Sequence, residues 1–402
     1  MDPQLAELRK QQAQRYKSLP EEQKPHIPTC PDCTKQIYDS PVCPKTGYLH
    51  NRHTDRLVAG LLVDGAKRQF SGRELMAAID AVRVRWQPSR VSLIKADSTA
   101  LNIFQSFVYS FDWKMQRYGI LYGRVVSDGA DEKAPKQVEV HAIYEPEQIG
   151  KENSFALLDD PREETVNKIA EGLGLRRVGC VCTHAPRDET AVTLSGDELL
   201  LCAKEQSKFG DHCVLVTMGP NLESGQIHAQ CWQASQQCVR YFQMGILSVN
   251  PDSIQSILSK VPLEIAQDDQ DKPGHTRVVI KESSTLVDTR WMTSYIAVEA
   301  FTSTVIGNNF IRISRPGCAP PTMTNAKIFL QDAKRAKLPF LEKIADFHLL
   351  IFLADTVFDI NCDIPTLLQG IVSSGSRSQD SRSVVDPSVF QFFEEILNVR
   401  LK

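Results

Sequence analysis

The sequence predicts an α+β protein, and three observations predict it. Residues 118–126 (YGILYGRVV) and 138–144 (VEVHAIY) are apolar, β-rich runs. A helix start follows at Asp159-Asp160-Pro161, with Glu163 and Glu164 in the first turn. Three more strand-like runs come next, at 177–182, 213–218 and 227–232. Strand, helix, strand, strand in that order suggests an α+β or three-layer domain.

In chain order, residues 5–16 are rich in Leu, Glu, Gln, Lys and Arg and suit a short exposed helix. Pro20, Pro25 and Pro28 break it. A cluster of Cys and His fills 30–53. Leu75, Ile79 and Val82 then recur at helical spacing within 71–85, before Pro88 interrupts. In the 118–126 strand the glycines sit where another backbone passes closely. The helix after Pro161 places Val166, Ile169 and Leu173 on one face, and Gly172 and Gly174 end it. Gly219-Pro220 turns the chain between the last two strand-like runs. Residues 267–274 (QDDQDKPG) read as a polar linker, followed by apolar runs at 276–280 and 295–301. A strong helix spans 341–352, with Leu341, Ile344, His348 and Ile351 on one face. Residues 373–383 are low-complexity and expected to be disordered. Asp386-Pro387 caps a last helix whose Val389, Phe392, Phe393, Ile396 and Leu397 must pack on something.

Composition narrows the function. In 402 residues, 42% are hydrophobic and 24% charged, which is ordinary for a soluble globular protein of two or three domains. The net charge of −3 supplies no phosphate-binding footprint, so a nucleic-acid binder is a weak reading. The apolar run 349–354 is far too short to span a bilayer, and the polar N-terminus argues against a secretory signal. Eleven cysteines, an odd number and several in apolar segments, fit buried thiols in cytosol or nucleus. No Gly-x4-Gly-Lys-Ser/Thr motif is present, so any ATP hydrolysis must belong to a partner.

Cys30-Pro-Asp-Cys33 is a Cys-x2-Cys knuckle that presents two thiolates to one tetrahedral ion. Cys43, His50 and His53 follow within a short polar segment that could hardly fold without a metal. A structural zinc held by Cys30, Cys33 and two of these three is expected, Cys43 with either His50 or His53. The alternative is a loop with incidental thiols.

Several segments together resemble the nuclear protein localisation protein 4 family. They are 118–124 (YGILYGR), 140–150 (VHAIYEPEQIG), 157–161 (LLDDP), 172–179 (GLGLRRVG), 226–238 (QIHAQCWQASQQC) and 340–353 (FLEKIADFHLLIFL), in that family's order and spacing across 87–372. The resemblance implies an MPN (JAMM-like) domain without its catalytic motif and a mixed α/β C-terminal domain. The implied layout is a polar segment at 1–25, a zinc-finger-like region at 26–88, the degenerate MPN domain at 89–250 and the C-terminal domain at 251–402. Two departures stand out. There is no evident room for the ubiquitin-like domain with which the family usually begins. Val84 and Trp86 also stand where a zinc-ligand cysteine pair would normally lead into the MPN domain.

Catalytic MPN domains need a glutamate base, two histidines and an aspartate on zinc, and a serine near the oxyanion. The matching positions here read Gln116, Cys182, His184, and Ser195 with Asp197 or Glu198; Ala185 stands where proline would follow. Cys182, His184 and Asp197 could hold a metal, but without the glutamate a bound water has no base. The plainer reading is a buried strand thiol and a loop histidine. Trp232 and His348 are expected in the core, and Lys334, Arg335 and Lys337 on a solvated face. What the resemblance implies is thus a non-enzymatic polyubiquitin-recognition subunit. It would act with ubiquitin fusion degradation protein 1 and the valosin-containing-protein AAA ATPase, in cytoplasm and nucleus and in part at the ER surface. An active zinc deubiquitinase with a rearranged site is the alternative.

Overall fold

The computed structural model describes residues 82–126, 135–188, 193–272, 275–280, 284–374 and 387–395. The predicted helix at 5–16, nearly all of that at 71–85 and the cluster Cys30, Cys33, Cys43, His50 and His53 lie outside the described residues. So do 375–386, which hold most of the Ser-rich tract, and Ile396 and Leu397. Two compact units are distinguished, Met1–Arg83 and Val84–Lys402; every element below belongs to the second.

In chain order the elements are β1 (Val91–Asp97), α1 (Ser98–Tyr109), β2 (Tyr118–Val126), β3 (Lys136–Tyr144), a short hairpin β4 (Gln148–Gly150) and β5 (Phe155–Leu157), α2 (Glu163–Gly172) and β6 (Arg176–Thr183). Then come α3 (Gly196–Phe209), β7 (Val214–Pro220), β8 (Ile227–Ala234), α4 (Gln236–Gln243), β9 (Leu247–Val249), β10 (Ser256–Lys272), β11 (His275–Ile280), β12 (Ser284–Asp288) and β13 (Thr293–Phe301). Five helices follow: α5 (Met323–Gln331), α6 (Phe340–Ile344), α7 (Phe347–Thr356), α8 (Asp363–Ser374) and α9 (Pro387–Glu395). Helices and a mixed sheet in one unit agree with the α+β expectation.

Seven strands close into a barrel in the order β13-β1-β3-β2-β6-β7-β8. Three of its pairs are parallel, β13 with β1, β1 with β3 and β6 with β7. The closing strand β13 lies well past residue 250, where the sequence suggested a boundary. Ile94, Leu121, Val140, Val181, Val216, Cys231 and Ile296 from the strands pack with Ala100 and Phe104 of α1. Leu199, Cys202 and Ala203 of α3 are fully buried, and α3 touches β6, β7, β8 and α4. Gly179 is required for two reasons. Its φ is +146°, and a Cβ there would lie 2.0 Å from the Val214 carbonyl oxygen.

Three expectations are corrected. The helix expected at Pro161 begins at Glu163, because Asp160 accepts the Arg162 amide (3.0 Å) and makes 160–162 a turn. The helix read over 341–352 is two helices, α6 and α7. Asp346 between them is fully buried, and its carboxylate caps the amides of His348 (3.2 Å) and Leu349 (3.3 Å). The polar stretch 267–274 is no linker: Gln267–Gln270 pair with Thr276–Val279 across the β10–β11 hairpin.

The irregular segment 302–318 crosses the barrel and is fastened mainly by polar contacts. Asp97 accepts the Ser303 amide (2.8 Å) and the Asn308 side-chain amide (3.2 Å). Asp346 accepts the amides of Asn309 (2.6 Å) and Phe310 (3.2 Å). His348 is a satisfied core histidine: its Nε2 meets the Ile143 carbonyl at 3.0 Å. Burial first, then Arg312 and Arg315, hold its pKa well below the ordinary histidine value.

That depression has a sign. Between the folded pKa and the unfolded value near ~6.5, the unfolded chain binds a proton at His348 that the folded chain refuses. Stability is therefore full above that window and falls as pH drops through it, by up to about 1.4 kcal/mol per pH unit for one site. His141 and His212, also lowered by burial, add to the slope. Urea unfolding at about pH 7 and about pH 5 should show a smaller loss for His348→Gln than for the wild type; identical losses would refute the assignment.

Candidate functional site

The antiparallel pairing of β2 and β6 sets Tyr118 opposite Cys182. Arg117 and Thr183 continue the register, since the Thr183 amide donates to the Arg117 carbonyl (2.9 Å) and Thr183 Oγ1 accepts the Arg117 amide (2.8 Å). The strand ends thus bring Gln116 into the same corner as Cys182 and His184. Gln116, Cys182 and His184 meet there, and the Gln116 and Cys182 side chains are buried in the fold.

Gln116 is buried, and its amide is fully used. Nε2 donates to the carbonyls of Trp113 (2.6 Å) and Glu152 (2.7 Å), and Oε1 accepts from Thr183 Oγ1 (2.7 Å). The turn before it places both Asp112 and Trp113 at positive φ, 51° and 58°. The Trp113 ring is buried with Phe107 and Val108, which holds that turn.

Cys182 is buried, and desolvation first, then the Glu198 charge, pushes its thiol well above the ordinary range. A thiol so raised stays protonated near neutrality and is a poor nucleophile. His184 Nδ1 lies 2.9 Å from the Ala185 carbonyl oxygen. The ring lies against Gly219, where a Cβ would come within 2.2 Å of it.

Ser195 and Glu198 form a capping box at the start of α3. Ser195 Oγ accepts the Glu198 amide (3.2 Å), and Glu198 Oε2 accepts the Ser195 amide (2.8 Å). Arg187 Nη1 then donates to both Glu198 oxygens (3.0 and 2.8 Å). Asp197 sits in the first turn, its pKa raised by partial burial and by Glu198. Among the described residues no three His, Cys, Asp or Glu are placed to hold a metal ion. The sequence-derived trio Cys182, His184 and Asp197 is therefore not a metal site here.

Gln148 and Glu145, both from the EPEQIG segment, carry roles the sequence reading missed. Gln148 takes the place of a strand neighbour: Oε1 accepts the Tyr118 amide and Nε2 donates to the Tyr118 carbonyl, each at 2.7 Å. Glu145 is buried beside three arginines. Arg117 Nη2 donates to it at 2.9 Å, Arg315 forks both oxygens, and Arg312 Nε lies 4.0 Å away. Burial alone would raise the Glu145 carboxyl; Arg315, then Arg117 and Arg312, hold it below its ordinary value.

Trp232 is a core residue, as expected, its Nε1 donating to Thr217 Oγ1 (3.0 Å). Arg335 is not on a freely solvated face. It donates to the Lys343 carbonyl (2.9 Å), lies 3.6 Å from Asp346 and sits 4.0 Å over the Phe329 ring. Two open clefts lie away from this corner. One of about 550 Å³ is lined by Lys168, Gly172, Ile364 and Leu368 between α2 and α8; one of about 1010 Å³ is lined by Ile328, Phe329, Asp332 and Arg335 beside α5.

Restoring a base should fail. A carboxylate in place of Gln116 has no donor for the Trp113 and Glu152 carbonyls and brings a buried charge against them. Gln116→Glu should lower stability by about 2–4 kcal/mol in urea unfolding and yield no ubiquitin-chain cleavage with added zinc. Cleavage by this variant would overturn the structural role given to Gln116.

A family model described as "NPL4 family" matches residues 117–261. The chain is 33% identical over 283 residues to an NPL4-like protein of Oryza sativa subsp. japonica, covering 67% of this chain and 62% of that one. It is 31% identical to NPL4-like protein 2 of Arabidopsis thaliana, covering 71% and 65%. It is 28% identical to the nuclear protein localization protein 4 homolog of Homo sapiens, covering 64% and 47%. The chain thus spans between about half and two thirds of the length of these relatives. The matched stretch carries the Gln116 corner from Arg117 onward, the β2–β6 register and the capping box of α3, and with relatives so named in plants and animals the chain belongs to the NPL4 family.

Proposed function

We propose that this chain is a non-catalytic polyubiquitin-recognition subunit on a degenerate MPN domain. With ubiquitin fusion degradation protein 1, it would deliver ubiquitinated substrates to the valosin-containing-protein AAA ATPase for unfolding and proteasomal degradation, including ER-associated degradation. Membership in the NPL4 family supports the partners and the setting in cytoplasm and nucleus. Among the described residues no helix is long and apolar enough to cross a membrane, so attachment at the ER surface would run through partners.

One observation carries the non-catalytic part. At the base position, the first ligand position and the serine–carboxylate end, the side chains that a zinc isopeptidase would use serve the fold. The base is an amide with both donors used, the first ligand is a buried thiol, and the serine–carboxylate end is a helix cap locked by Arg187. A zinc-bound water in this corner would find no acceptor for its proton. What remains for the corner to do is hold the barrel in shape.

The test is to incubate the purified full chain with Lys-linked tetra-ubiquitin and added zinc, and to score retention and cleavage together. Retained, uncut chains are expected. Cut chains would favour the alternative of a rearranged zinc deubiquitinase.

The proposal includes one structural zinc in the N-terminal region, held by Cys30 and Cys33 with Cys43 and either His50 or His53. Two thiolates at knuckle spacing plus a third thiol and an imidazole suit tetrahedral zinc. Metal analysis of dialysed protein should find zinc in the wild type and little in a Cys30→Ser, Cys33→Ser double variant. Equal content in the two would remove the site.

A further inference from the structure

The guanidiniums gathered at Glu145 outnumber the carboxylates that face them. Arg117, Arg312 and Arg315 all meet this one carboxylate, and the Arg117, Arg312 and Glu145 side chains are only 0%, 3% and 2% exposed. Asp97 and Asp346 act on Arg312 from further off, but each is already engaged. Asp97 accepts the amides of Ala100 and Ser303 and the Asn308 side chain. Asp346 accepts four backbone amides and lies 3.6 Å from Arg335. With Arg335 counted, four cations stand against three carboxylates. The outer group of Arg162, Glu147 and Asp355 is 24% to 37% exposed, so water screens it.

Hydrogen bonding is unbalanced in the same place. Arg117 Nη2 serves Glu145 and the Ser314 carbonyl (3.0 Å), while Arg117 Nε and Nη1 have no partner among the described residues. Three of its five N–H bonds are thus unmatched. Arg312 spends Nη1 on the carbonyls of Asn308 (2.6 Å) and Phe310 (2.8 Å), and its Nε is unmatched too. The Phe107 ring beside Arg117 and Arg315 offers a π face but no full negative charge. Arg312 registers the imbalance: burial lowers its pKa to about 10, with Glu145 opposing the shift and Arg315 adding to it.

Water would answer the unmatched N–H groups but not the charge, and neither guanidinium sheds its proton near neutrality. An anion answers both. Its size is limited, because the site is enclosed and none of these residues lines either open cleft. We propose that the cluster binds one monatomic anion of the halide class, chloride or bromide, held by Arg117 and Arg312 beside Glu145. Asn308 Oδ1, an unmatched acceptor of the same segment, would repel it, which favours the Arg117 side of the cluster. The ion ties the start of β2 to the crossing segment 302–318, and it is independent of ubiquitin recognition.

The full chain, dialysed into sodium gluconate, is titrated with sodium chloride or sodium bromide at constant ionic strength while thermal unfolding is followed. Either halide should raise the midpoint saturably, as binding to the folded state alone requires. Arg312→Met leaves the Arg117 and Arg315 bonds to Glu145 in place and removes one cation. It should weaken the half-saturation point by about tenfold or more, the loss of a hydrogen bond to a charged group. Should Arg312→Met fail to fold, crystals of the wild type grown in bromide answer instead: anomalous scattering should place one bromide against the Arg117 guanidinium. A midpoint that does not saturate, equal half-saturation in wild type and Arg312→Met, or no bromide at Arg117 would overturn the inference and leave these donors to water.

Discussion

The buried carboxylate of Glu145 is the point on which the rest of the unit depends. It stands one residue past β3, and Arg117 stands one residue before β2. Arg315 reaches it from the segment that crosses the barrel, and also donates to the Ile103 carbonyl of α1 (3.1 Å). Both Arg117 and Arg315 lie over the Phe107 ring, at 5.4 and 4.4 Å. Two strand ends, a helix and a crossing segment are thereby joined through one charge. A carboxylate taken out of water tolerates no vacancy among its partners. Breaking a buried pair typically costs about 3–5 kcal/mol because the remaining charge is stranded, although a well-packed apolar replacement of the whole group could be neutral. The arrangement is better understood as fixing one geometry than as adding stability.

Fixing Arg117 fixes its neighbour Gln116, and this explains why the corner keeps its shape without its chemistry. The side chain at 116 faces two backbone carbonyls and one hydroxyl. Only an amide offers two donors and an acceptor at once. A glutamate would serve a bound metal's water, and here it would oppose both carbonyls. At the other side of the corner Glu198 serves a helix amide and a guanidinium instead of an ion. Catalysis at this corner would need more than an added ligand, because Gln116 and Glu198 have structural duties of their own.

How much of this was legible in the sequence depended on whether the cause was local. The 118–126 run matches β2 to the residue, because a continuous apolar, β-rich run with close-passing glycines leaves a local pattern. The 138–144 run is β3 less two residues. The cap at Asp346 is masked in the sequence because the apolar period of 341–352 runs straight through it; two of the amides it accepts are local, and the other two lie 36 and 37 positions away. The 267–274 stretch reads as a linker because polar residues give no alternating signal, and backbone pairing across β10 and β11 needs none. Ser195 and Glu198 were weighed for chemistry although Ser-x-x-Glu is also the signature of a capping box, and the box is what formed. Glu145 carried no local signal, since its partners are 28 and 170 residues distant. Family motifs named the relatives, while the reason those motifs exist lay in three dimensions.

Barrel closure has a consequence for how the chain is made. The seam joins β1 to β13 in parallel, Leu93 beside Ala297, so its two sides are roughly 200 residues apart. At about 5–20 residues per second, some 10–40 seconds separate their appearance from a ribosome. Throughout that interval β1 can pair with β3 but not with β13, and one apolar edge of the nascent sheet stays open. Parallel pairing over such a span is slow and aggregation-exposed. The seam is therefore the last part of the barrel that synthesis allows to close.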